Sequence, residues 1–90
     1  MFKSVAIRVT GRVQHVGFRH FAIQKADIHG IRGFVRNEAD GSVYIEAQGE
    51  KEALDAYVLL IGKGPSWSRV DQVQISKLPL GDYTNFSVHY

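Results

Sequence analysis

The sequence predicts an α+β sandwich, with two helices on one face of an antiparallel sheet, and three observations carry that prediction. Apolar residues alternate in Val5-Ala6-Ile7-Arg8-Val9, in Ile31 to Asn37 and in Ser42 to Gln48, the period of a half-buried strand. They recur at helical spacing in Phe18, Phe21, Ala22, Ala26 and in Leu54, Tyr57, Val58, Ile61. Between the second and third strands stands Glu38-Ala39-Asp40-Gly41, whose Asp-Gly pair is hairpin turn chemistry. The order strand, helix, strand, strand, helix, strand, with a short strand after it, belongs to the split βαβ or ferredoxin-like sandwich. Residues 1–90 are expected to form a single domain.

Each element follows from its local chemistry. The first strand, Val5 to Val9, places Val5, Ile7 and Val9 on one face. The first helix runs from about Phe18 to His29 and stops at Gly30, a residue suited to the left-handed turn after a helix. In the second strand Ile31, Gly33 and Val35 oppose Arg32, Phe34 and Arg36. Gly49 is expected to open the second helix and Gly62 to close it. Gly64-Pro65-Ser66-Trp67-Ser68 reads as a loop, Val70 to Leu78 as a fourth strand with Val73 and Ile75 inward, and Pro79-Leu80-Gly81-Asp82 as a turn. Phe86, Val88 and Tyr90 alternate in a closing strand. Trp67, Tyr44 and Tyr57 are expected to pack rather than to stack bases.

Composition narrows the function. Ninety residues with 44% hydrophobic and 22% charged content suit one ordinary core. With no cysteine, disulfides and thiolate metal sites are excluded. This suits a reducing cytoplasm, and Met1-Phe2-Lys3 leads directly into the first strand, so no signal peptide is expected. The longest apolar run, Ala56 to Ile61, is too short to cross a bilayer. A net charge of +2, spread along the chain, falls short of the basic stripe of a nucleic-acid binder.

Topology then gathers the chemistry. In a split βαβ sheet the third strand inserts between the first two, which lie parallel and end on one edge, roughly 10 Å apart. The segment Gly11-Arg12-Val13-Gln14-His15-Val16-Gly17-Phe18-Arg19 follows the first strand, and Asn37 ends the second. A glycine-containing strand-to-helix loop offers free N–H groups and the positive end of a helix dipole, which suits a phosphate. Arg19, in the first turn, is disfavoured by that dipole unless an anion is bound. No histidine pair has zinc-ligand spacing, Ser66 and Ser68 lack a placed base, and Gly62-Lys63-Gly64 is not a phosphate loop. A site with anion-binding groups and an amide, but no strong acid or base, suits an acyl phosphate, because a carboxylate of pKa near ~4 leaves without a proton. Asn37 would hold the attacking water through its side-chain carbonyl.

These residues resemble the acylphosphatase family. Val9 to Arg19 is similar to its first signature, and Gly33-Phe34-Val35-Arg36-Asn37, with Gly41, Val43 and Gly49, to its second. Gly64-Pro65 and Phe86-Ser87-Val88-His89-Tyr90 also fit, so the resemblance spans the chain. It implies hydrolysis of acyl phosphates to carboxylate and phosphate on a ferredoxin-like fold, without metal or cofactor. It places the catalytic arginine on Arg19, the water-holding asparagine on Asn37 and the phosphate-binding loop on Gln14, His15, Val16, Gly17, Phe18 and Arg19. The chain departs from the family at His15, where glycine is usual. A left-handed backbone there would be tolerated by histidine at some cost.

The expected protein is therefore a cytoplasmic, metal-independent acylphosphatase. It acts as a monomer on a small acyl phosphate, with inorganic phosphate or sulfate as competing anions and no nucleic acid or membrane as partner. Two alternatives use the same fold. One is a non-catalytic ligand-binding or regulatory domain, including the kind found within long hydrogenase-maturation proteins, although this chain stops at its last strand. The other is an RNA-binding module, which Arg32-Gly33-Phe34 imitates and Val35-Arg36-Asn37 breaks.

Overall fold

In the computed structural model, which describes residues 1–90, the elements are β1 (Phe2–Arg12), α1 (Phe18–His29), β2 (Arg32–Asn37), β3 (Val43–Glu50), α2 (Lys51–Lys63), β4 (Arg69–Leu78) and β5 (Phe86–His89). The sheet order is β4-β1-β3-β2-β5. β3 lies between β1 and β2 and is antiparallel to both, so β1 and β2 are parallel as the split βαβ reading requires. β5 adds beside β2 in parallel, which makes the sheet mixed rather than wholly antiparallel. The Gly33 N–H extends that edge by donating to the Asn85 carbonyl at 2.8 Å.

The helices cover one face. Ile7, Val9, Val35, Val43 and Ile45 point from the sheet towards Phe18, Ala22 and Ala26 of α1 and Leu54, Tyr57 and Ile61 of α2, all buried. Burial of an aliphatic side chain of this size contributes about 1.5–3 kcal/mol. The Tyr57 hydroxyl donates to the Ala22 carbonyl at 3.0 Å, satisfying its polar atom in the core and tying α2 to α1. On the open face Phe34 stacks on His89 with centroids 4.1 Å apart, and the Arg36 guanidinium lies 4.8 Å from the Tyr44 ring centroid.

Several boundaries differ from the sequence reading, each for a tertiary reason. Gly49 does not open α2: β3 runs on to Glu50 because Gly49 and Glu50 pair with Lys3 and Phe2. α2 likewise passes Gly62 and ends at Lys63, capped by the Gly64 N–H donating to the Leu60 carbonyl at 3.0 Å. Ile75 shares the core-facing side with its cross-strand partner Ile7, yet is 51% exposed. β4 is an edge strand, and α2 packs chiefly over β3 and β1. Tyr57 packs as expected and Tyr44 is half-buried, whereas Trp67 is 82% exposed and contributes nothing to the core.

Candidate active site

β1 reaches further than its apolar alternation. It continues to Arg12 through a break in register with β4 at Thr10/Gly11. Gly11 makes this possible: its φ is 125°, and a Cβ there would collide with the Arg69 carbonyl. The connection to α1 is thus only Val13 to Gly17. Within it His15 adopts a left-handed backbone, φ 62°, the conformation that glycine takes at least cost, and Gly17 follows with φ 82°. Gly17 caps α1 without any side-chain cap, and the first turn contains no acidic residue.

The consequence is a run of unpaired donors. None of the backbone hydrogen bonds in the loops and caps is donated by residues 14–20, and the first N–H satisfied inside α1 is that of Phe21, to Gly17 at 3.0 Å. Unpaired N–H groups at a helix start, with the helix dipole behind them, have the chemistry that anion binding requires. Arg19 adds a charge. It takes part in no ion pair, and its guanidinium sits 5.3 Å from the centroid of the Tyr90 ring.

Asn37 arrives at the same edge on β2. Its Oδ1 is buried without a hydrogen-bond partner. An unpaired buried carbonyl oxygen costs roughly 1–3 kcal/mol, the kind of local penalty that persists at functional sites. The turn after Asn37 is braced from several directions. Asp40 accepts from the Ser42 hydroxyl at 2.6 Å and the Ser42 N–H at 2.9 Å, which holds its carboxyl below the usual aspartate range. Arg8 Nη1 donates to Ser42 Oγ at 2.9 Å, and Gln14 Nε2 donates to the carbonyls of Glu38 and Ser42, each at 2.8 Å.

These elements enclose a cavity of about 300 Å³ lined by His15, Gly17, Phe18, Arg19, His20 and Asn37, with Val13, Ile23, Val88 and Tyr90 as its apolar wall. No Asp or Glu side chain lines it. Of the loop residues singled out by sequence, His15, Gly17, Phe18 and Arg19 face this cavity. Gln14 and Val16 instead line a separate, neighbouring groove, and the Gln14 side chain is committed to the β2–β3 turn. His20 and Tyr90 were not singled out. His20 follows Arg19 on α1, and only the parallel placement of β5 brings Tyr90 across. No three His, Asp or Glu side chains lie together in a way that could hold a metal ion. No helix is long and apolar enough to cross a membrane.

A ferredoxin-like sandwich whose helix-entry loop turns free donors and an arginine towards a strand-end amide has the form of a small phosphoryl-handling protein. Comparison with known proteins makes this specific. The acylphosphatase family model matches residues 5–88. The chain is 47% identical to an acylphosphatase of Bifidobacterium longum over 78 residues, covering 87% of this chain and 80% of that one. It is 43% identical to an acylphosphatase of Oceanobacillus iheyensis, covering 98% and 99% of the two chains. The crystal structure of acylphosphatase from Bacillus subtilis superposes with a TM-score of 0.95 at 36% identity over the full length of both. The chain belongs to the acylphosphatase family, and its activity is the hydrolysis of acyl phosphates.

Proposed function

We propose that Arg19 and the loop N–H groups hold the phosphoryl group while Asn37 places the water that attacks it. The observation that carries this reading is the run of unpaired N–H groups from Gln14 to His20 beside a cavity without Asp or Glu side chains that Arg19 and Asn37 both line. The Arg19 fork suits two phosphoryl oxygens, and the N–H groups address the same group without reorganising. Asn37 Oδ1 is buried, so in place of the side-chain carbonyl expected from the sequence the amide nitrogen is the atom left to address the water. A water that accepts from Nδ2 keeps a second lone pair for phosphorus.

The step balances without an added acid or base. The water oxygen bonds to phosphorus, the bond from phosphorus to the acyl oxygen breaks, and its electron pair leaves with the carboxylate. Both water protons end on the phosphate, so a dianionic acyl phosphate and water give a carboxylate and a monoanionic phosphate. With a leaving-group pKa near ~4 there is no alkoxide to protonate. Positioning and electrostatics then supply the catalysis.

The same reading makes the protein metal-independent, since Arg19 and the N–H groups provide the positive charge, and makes inorganic phosphate and sulfate its competitors. It acts as a cytoplasmic monomer on a small substrate. Nucleic acid is not its partner: Phe34 is stacked on His89 and Tyr44 lies under Arg36, so the open face has no unoccupied ring among them for a base.

Asn37→Ala tests the assignment. Turnover of benzoyl phosphate is expected to fall ~10²–10³-fold, the usual cost of a lost positioning hydrogen bond, while inhibition by phosphate stays near wild type. The melting temperature should hold or rise, because the substitution also removes an unpaired buried oxygen. Near-normal turnover with a lowered melting temperature would make Asn37 a turn residue only. Exhaustive dialysis against EDTA should leave wild-type rates unchanged.

A further inference from the structure

Beside the Val13–Gly17 loop lies a second groove, of about 540 Å³, lined by Arg12, Gln14, His15, Val16 and Trp67. His15 lines both this groove and the inner cavity, so the two are neighbours. Trp67 is 82% exposed and pairs with no other aromatic ring or cation. It is nonetheless displayed by a defined turn. The Ser68 N–H and hydroxyl both donate to the Pro65 carbonyl, at 2.9 and 2.6 Å, and Pro65 presets the backbone.

Arg12 is equally without a partner. It forms no ion pair and stands opposite Arg69 in the β1–β4 register, a like-charge pairing that works against the strand contact. Arg69 is compensated by Asp71, at 2.9 and 3.3 Å, whereas Arg12 is not. The groove therefore offers a flat apolar surface and a free cation, and no carboxylate lines it.

We infer that this groove receives the acyl group, and that it favours an aromatic acyl group bearing a distal negative charge, with the ring on Trp67 and the charge on Arg12. The inference rests on the phosphoryl group occupying the inner cavity. Acyl and phosphoryl groups share one bridging oxygen, so an acyl subsite has to adjoin that cavity, and the groove does, sharing His15 with it. Asn37 lines the inner cavity and not the groove, which keeps the water and the leaving group on different walls, as in-line displacement requires.

Trp67 is the only tryptophan of the chain, so its emission reports on the groove directly. Benzoylphosphonate and 4-carboxybenzoylphosphonate, which carry a P–C bond and are not hydrolysed, are titrated against inorganic phosphate. Both phosphonates should shift or quench Trp67 emission, phosphate alone should not, and excess phosphate should displace them. In parallel, Trp67→Ala should lower the ratio of kcat/KM for benzoyl over acetyl phosphate about 3–10-fold, through KM. Arg12→Gln should lower the ratio for 4-carboxybenzoyl over benzoyl phosphate, with partial recovery in Arg12→Lys. Phosphonates that compete with turnover but leave Trp67 emission and both ratios untouched would overturn the groove assignment alone. Failure of phosphate itself to compete would overturn the placement of the phosphoryl group, and this inference with it.

Discussion

Gln14 and Ser42 are joined by a hydrogen bond of 2.8 Å from Gln14 Nε2 to the Ser42 carbonyl, and the same nitrogen reaches the Glu38 carbonyl at 2.8 Å. Both protons of one side-chain amide are thereby spent on fastening the helix-entry loop to the turn that follows Asn37. Gln14 is a positioning residue in this arrangement, setting the loop that carries the donors against the strand end that carries the amide.

Gln14→Leu should therefore lower kcat ~10–10²-fold, since small displacements of reacting groups are expensive, while changing phosphate affinity far less. The fold should survive. The Ser42 carbonyl keeps the Glu38 N–H at 2.9 Å and the Glu38 carbonyl keeps the Gly41 N–H at 3.1 Å. Gln14→Glu, which sets an acceptor against two acceptors, should be worse than Leu at neutral pH. Steady-state kinetics beside thermal shifts with phosphate separate the readings; loss of melting temperature with kcat intact would mean that the contact is structural only.

Arg19 is expected to dominate anion binding. In Arg19→Gln most of the thermal protection by phosphate should disappear, because the charge-assisted fork is gone while the loop amides remain. Arg19→Lys should regain little, since a point charge does not match two oxygens at once. Full protection of Arg19→Gln would place the anion elsewhere.

His15 carries backbone strain. Its φ of 62° costs a non-glycine residue about 1–2 kcal/mol, and glycine would relieve that while giving the unfolded chain more conformational entropy to lose on folding. His15→Gly should thus stay within ~1 kcal/mol of wild type, on the stable side, whereas the β-branched His15→Val should be clearly destabilised. Thermal denaturation of the three proteins side by side checks this; a His15→Gly clearly less stable than wild type would contradict the strain at His15.

Tyr57 links the core to alkaline stability. Burial pushes its phenol well above the usual tyrosine value. The unfolded chain ionises near pH 10 while the folded one does not, so the unfolded state is favoured progressively as pH rises beyond that point. Tyr57→Phe loses the bond to the Ala22 carbonyl and should be slightly less stable at pH 7, by about 1 kcal/mol. It should nevertheless lose less stability than wild type between pH 9 and 11.5. Parallel denaturant midpoints across that range would contradict this account.

Local chemistry by itself determined the element types and their order, because periods of 2 and 3.6 are written in the side chains whatever surrounds them. It also determined the signature loop, the Asp-Gly turn, and the convergence of Arg19 and Asn37 on one edge, which follows from the split βαβ connection alone. What tertiary structure decided was everything that depends on a partner distant in the chain. β3 passes Gly49 because Lys3 and Phe2 pair with its end, and β5 lies parallel to β2 because that edge was open. Ile75 is wet because helical cover runs out over an edge strand. Gln14 faces the Ser42 carbonyl rather than the cavity, and Trp67 lies beside Arg12 rather than in the core. Spacing identifies the residues that can serve a site, but a side chain's direction is settled by which donors, acceptors and apolar surfaces the fold leaves unpaired around it.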